Sequence, residues 1–171
     1  MLKKFFSLTF LALTAITSAN TQEKRGPSTP EERTKALAFI DNLEKNPLGP
    51  SAKDERQWLT IWLIEVPDIH VGFCTDLYPN RPKGDKADSS IISVQMMFSG
   101  ARYAIQHPKS TADDINQYVA GVEGALRMYE VLIAQKPKDQ QPGLDDLLKR
   151  REAGTLVDYV KSQFTTSCKA K

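Results

Sequence analysis

Apolar residues recur at intervals of three and four along most of this chain, and the breaks between runs carry helix caps and prolines. The first run opens at Thr29-Pro30-Glu31-Glu32, a capping box with proline at the first helical position. Ala36, Leu37, Ile40 and Leu43 follow on one helical face, and Asn46-Pro47 closes it. Ser51, with Asp54 three residues on, opens a second helix. Its apolar set, Trp58, Leu59, Ile61, Trp62, Leu63 and Ile64, covers most of the circumference and predicts a central, buried helix ended by Pro67.

The stretch from Val66 to Tyr78 is ambiguous. Residues 66–71 alternate like a short strand, whereas Ile69, Phe73 and Leu77 share one helical face and His70, Cys74 and Tyr78 the next. A helix starting at Pro67 or Asp68 is the favoured expectation. Pro79 to Asp88, with two prolines, a glycine and five charges, reads as a solvent loop.

Ser89 or Ser90 starts the next helix, whose apolar surface is Ile91, Ile92, Met96, Met97, Phe98, Ala101 and Ile105, and which stops at His107-Pro108. Thr111 with Asp114 has the pattern of another capping box. Beyond it Ile115, Val119, Val122, Leu126, Tyr129 and Ile133 step by 4, 3, 4, 3, 4, the narrow seam of a helix packed lengthwise on neighbours. Gly121 and Gly124 each cost a helix about 1 kcal/mol relative to alanine, and close approach of another helix is the expected offset. Leu144, Leu147 and Leu148 mark a short helix with Gly154 as its C-terminal cap. Thr155 with Asp158 opens a last helix bearing Leu156, Tyr159, Val160 and Phe164, with Cys168 just beyond. The expectation is an all-α domain of about six helices, several antiparallel, in one compact bundle over 29–171.

The N-terminus follows different rules. Lys3 and Lys4 precede an uncharged stretch, Phe5 to Ile16, and then the small residues Thr17, Ser18 and Ala19. This is the layout of a secretory signal peptide over 1–19, cut after Ala19. The apolar run is shorter than the roughly 20 residues a bilayer span needs. Residues 20–28 read as a flexible leader. Export to a periplasmic or extracellular space is therefore expected, with no transmembrane anchor.

Processing alters the charge reading. The full chain has 23 Lys and Arg against 21 Asp and Glu; losing Lys3 and Lys4 leaves 21 of each. A neutral mature chain has no net field to draw in nucleic acid, which is not an expected partner. In an exported chain the two cysteines, Cys74 and Cys168, read as a disulfide closing a loop of 94 residues.

Catalytic signatures are scarce. The chain has no Gly-rich phosphate loop, GxSxG, HExxH or CxxC, and its two histidines exclude a three-histidine zinc site. No cofactor or metal is expected. Asp68, His70, Cys74 and Asp76 are the nearest to a reactive group, because a helix would bring His70 beside Cys74; a disulfide would remove that option. His107 reads as a helix-end charge complement. Glu123 and Glu130 read as solvent-face acids, with Arg127 four residues after Glu123 as an ion-pair partner. Lys149-Arg150-Arg151 reads as a solvated face. Trp58 and Trp62 can stack on a ligand, and Met96 and Met97 can line an adaptable surface, although core packing is the default for all four.

These features lead to three readings. The first is a non-enzymatic exported protein that binds a protein or cell-envelope partner through helix surfaces, with Trp58, Trp62, His70, Met96 and Met97 as candidate contacts. The alternative is a carrier of a small apolar ligand in a cavity between the Trp58/Trp62 and Met96/Met97 helices. The third is a thiol enzyme using Cys74 with His70 or His107.

Overall fold

The computed structural model describes residues 25–82 and 88–169. The expected signal peptide lies outside the described residues. The described chain is all-helical: α1 Pro30–Lys45, α2 Ala52–Glu65, α3 Ser89–Gln106, α4 Ile115–Gln135, α5 Pro142–Glu152 and α6 Leu156–Gln163. Among the described residues there is no strand.

The capping box at Thr29 forms as expected, with the Thr29 side chain accepting from the Glu32 N–H and Glu32 reaching back to the Thr29 N–H. Before it, Ser28 is buried, and its N–H and Oγ both donate to Asp68, each at 2.8 Å. The last residues of the expected leader are thus tied to the domain.

The two longest helices, α3 and α4, make the main packing pair. Gly121 and Gly124 permit their approach: a Cβ on Gly121 would stand 2.6 Å from the Met96 carbonyl oxygen, and one on Gly124 would stand 1.9 Å from Ser99 Oγ. Phe98, Leu126, Met128 and Tyr129 are fully enclosed beside this contact. The narrow seam read from the sequence proves wider. Val122, Leu126 and Tyr129 are buried as expected, but so is the adjacent row Gln117, Gly121, Gly124 and Met128, which faces α3.

Three start signals differ from expectation: Thr155 precedes α6 without a side-chain cap, its Oγ1 donating instead to the Arg150 carbonyl at 3.4 Å, and the other two stand at α4 and α2. Asp114, not Thr111, caps α4, accepting from the Asn116 N–H at 2.9 Å. Ser51 makes no backbone cap to α2 and donates instead to the Glu55 carboxylate. Gly154 does end α5, at φ +71°, where a side chain would be strained. α6 runs on into a π-helical turn, Phe164–Cys168.

The helix expected from Pro67 or Asp68 does not form. From Val66 the chain is irregular, with one short 3₁₀ turn at Thr75–Leu77. Ile69, Leu77 and Tyr78 are nevertheless buried. External partners stand in for the missing helical hydrogen bonds. The side chain of Gln117 accepts from the Gly72 N–H at 3.2 Å, and its Nε2 lies 3.0 Å from the His70 carbonyl and 2.8 Å from both Ser110 Oγ and the Thr111 carbonyl. Cys74 pairs with Cys168, their sulfurs 2.04 Å apart. Tyr78 donates to the Gln141 side chain.

The second correction concerns α2. It is not a central, buried helix. Its buried residues, Ala52, Glu55, Leu59 and Trp62, form one stripe, and Ile61 and Ile64 face outward, 47% and 79% exposed. Trp58 and Leu63 are half-buried against the core, which leaves Ile61 and Ile64 as the outward apolar surface of α2.

Candidate functional site

No helix among the described residues is long and apolar enough to cross a membrane, and no group of three or more His, Cys, Asp or Glu there is arranged to hold a metal. The constellation Asp68, His70, Cys74 and Asp76 does not assemble as a reactive group. Asp68 is taken by Ser28 and by Arg33, whose Nη2 lies 2.8 Å from Oδ2. Cys74 is joined to Cys168. His70 is exposed in the irregular segment rather than one helical turn from Cys74. Burial disfavours the charged Asp68, but hydrogen bonds from Ser28 and Arg33 outweigh it and hold the carboxyl below the usual range.

The other titratable candidates also resolve into structural roles. His107 is the C-cap of α3, its Nδ1 2.9 Å from the Tyr103 carbonyl and its ring stacked on Tyr103 at 3.9 Å. Glu130 pairs with Arg151, and Arg150 pairs with Asp146 at 2.7 Å. Arg127 forms its ion pair with Glu44 rather than with Glu123, at 2.8 Å, and this contact raises its already high pKa.

Glu44 was not legible as a special residue. It is nearly enclosed on α1, accepts from Ser99 Oγ at 2.9 Å, and meets Arg102 of α3 and Arg127 of α4. Its position was the available signal: it stands four residues after Ile40 on the buried stripe of α1. Charge bound on both sides by arginines fits a clasp joining three helices better than a reactive acid.

The predicted contact residues separate onto two sides of α2. Trp62 and Met96 lie in the core, at 3% and 7% exposure. The Trp62 indole nitrogen lies near Glu32 and helps lower its pKa, after the larger effect of the Thr29 backbone hydrogen bond, without reaching hydrogen-bond geometry. Trp58 is half-buried and stacks on Trp62, the centroids 5.6 Å apart and the planes 12° from parallel. It lines a cleft with Phe39 of α1. Met97 opens instead onto a groove of about 210 Å³, which it lines with Thr60, Leu63, Ile64, Ile69 and Val71. Five of those six side chains are apolar. The groove runs between the C-terminal half of α2, α3 and the irregular segment, so the non-helical course of residues 66–74 creates it.

Comparison with known protein families, characterised proteins and solved structures finds no match to this chain.

Proposed function

We propose that this chain is an exported, non-enzymatic binding protein that seats an apolar segment of a protein partner in the groove at the C-terminal half of α2. The observation that carries the proposal is Ile64, a large aliphatic side chain left 79% exposed at the rim of a groove walled by Leu63, Ile69, Val71 and Met97. Ile61, one turn earlier, extends the same outward face. Large apolar side chains grouped in this way mark interaction surfaces more often than isolated ones do. The groove, at about 210 Å³, is small and open for a carried ligand, whose pockets usually span ~300–1,000 Å³, but suits one or two side chains of a docked helix or strand.

Residues 1–19 act as the export signal in this proposal, and the Cys74–Cys168 pair suits an oxidising compartment. With Cys74 joined to Cys168, the thiol that the enzymatic reading requires is occupied.

Capture from the native envelope or secretome tests this with three baits: the mature chain, Ile64→Glu, and Lys53→Glu on the exposed start of α2. A protein retained by the mature chain and by Lys53→Glu but lost with Ile64→Glu is the expected result. Equal retention by all three would remove the groove from the interaction.

A further inference from the structure

The opposite side of α2 carries a second feature, independent of the groove. Phe39 and Trp58 meet edge to face, with ring centroids 5.4 Å apart and planes at 86°. Perpendicular rings form a corner, and the electron-rich face of the indole looks into it. A cation already sits there. Lys35, one turn before Phe39 on α1, holds its ammonium 4.3 Å from the Trp58 centroid and 5.3 Å from that of Phe39. The corner is one wall of a cleft of about 320 Å³, completed by Ser51, Asp54 and Glu55.

Asp54 and Glu55 bring two carboxylates to the cleft beside the Lys35 ammonium; Arg56, the next residue, attracts Glu55 through its charge but donates its hydrogen bond to the Pro47 carbonyl. Glu55 is only 8% exposed. Its oxygens accept from neutral donors, Asn42 Nδ2 at 2.8 and 2.9 Å and Ser51 Oγ at 2.9 Å. Among the described residues none of the ion pairs reaches it. The first-turn position of the two acids complements the α2 dipole, which accounts for carboxylates there. It does not account for an aromatic corner opening onto the same space. An aromatic face beside buried negative charge is the chemistry that recognises alkylammonium groups.

We propose that this cleft binds an alkylammonium group and that Lys35 is its internal placeholder, swinging out when a ligand enters. Lys35 is exposed and on a flexible stem, so its departure leaves the fold intact. The group can arrive on a small quaternary amine or on the lysine of a partner protein, and the two sources call for different probes.

The test is a two-dimensional NMR titration of the full mature chain, following the Trp58 indole N–H. The probes are tetramethylammonium chloride and Nα-acetyl-lysine amide, with sodium chloride as the ionic-strength control. The expected result is a saturable shift with at least one probe, tightened about two- to fivefold in Lys35→Met, the worth of one exposed cation–π contact. Trp58→Leu, followed together with the wild type at the backbone amides of Lys35 and Phe39, which line the same cleft, should abolish saturation there, with circular dichroism confirming an unchanged helix content. Preference for the quaternary probe indicates a small amine; preference for the lysine amide indicates a partner's side chain. Shifts in Lys35→Met no different from those with sodium chloride would overturn the proposal, and so would equal affinity of wild type and Lys35→Met. Neither outcome touches the Ile64 groove, which is judged by its own capture experiment.

Discussion

In α3 and α4 the backbone satisfies its own polar groups, and small residues let the two helices close on each other. Between Val66 and Tyr78 the chain buries Ile69, Leu77 and Tyr78 without a helix, so its polar groups need partners brought from elsewhere. Those partners come from α4 through Gln117, from the C-terminal turn through Cys168, and from Gln141 ahead of α5. A helix can be read locally because its hydrogen bonds are local. A pinned segment depends on residues 40 or more positions away, and a single substitution at a distant site can release it.

Removing the crosslink should have the largest effect on that contrast. Replacing Cys74 and Cys168 together with serine is expected to lower stability by about 3 kcal/mol, within the range for loss of a native disulfide. Thermal melting gives the total. Hydrogen exchange should place the early opening in residues 66–78 and 164–168, leaving α3 and α4 protected. A uniform loss of protection across all helices would show that the two regions do not differ in the way described.

An overpacked helical pair should come next. Gly124→Ala gains about 1 kcal/mol of intrinsic helix propensity. Against that, the new Cβ would meet Ser99 Oγ at 1.9 Å, Ser99 Cβ at 2.4 Å and Glu44 Oε1 at 2.6 Å. The clash strikes the helix contact and the Glu44 clasp together, and a net destabilisation of about 2 kcal/mol is expected, at the scale of core overpacking. An unchanged or higher melting temperature would mean the α3–α4 approach is looser than described.

Gln117→Leu should have the smallest global effect, about 1–2 kcal/mol, because released backbone groups at His70 and Gly72 lie near enough to solvent to find water. Its signature is local: faster exchange at residues 70–72, with the helical circular dichroism signal unchanged. Cooperative loss of helix in this variant would instead make Gln117 part of the global core.

Much of the helical frame was legible from caps and apolar spacing. The capping box at Thr29, the stop at Gly154 and the close contact at Gly121 and Gly124 all depend on residues within a turn or two, or on a cost that needed an offset. The errors share a different cause. The apolar circumference of α2 predicts a central helix, but periodicity does not distinguish a surface covered by a neighbour from one left open, and Ile64 is open. The helix expected at 67–78 was an accident of spacing among Ile69, Phe73 and Leu77; Phe73 is 48% exposed while the other two are buried. Of the candidate contacts, Trp62 and Met96 took their default place in the core, and Trp58 and Met97 reached the surface on different sides of α2. Nothing in the sequence sets Glu44, Gln95 and Gln117 apart from ordinary polar helix residues, since burial of a polar side chain is decided by which helix lies opposite.

The Cys74–Cys168 link also divides the chain topologically. α3 to α6 lie between the two cysteines and form a closed covalent ring, while α1 and α2 precede it as an open arm. The arm adheres to the ring through reversible contacts: the Glu44 clasp, the Gln117 bonds to His70 and Gly72, and apolar packing. Under tension from its two ends, the oxidised chain can extend the described arm from Arg25 to Cys74 by about 170 Å of contour, whereas the ring withholds about 320 Å until the bond is cut. An unfoldase that threads a single strand would strip α1 and α2 and then meet a double-stranded obstacle at Cys74. The α2 side chains of both proposed binding surfaces belong to the part of the molecule that can be pulled away without breaking a covalent bond, whereas Met97, the α3 wall of the groove, stays with the ring.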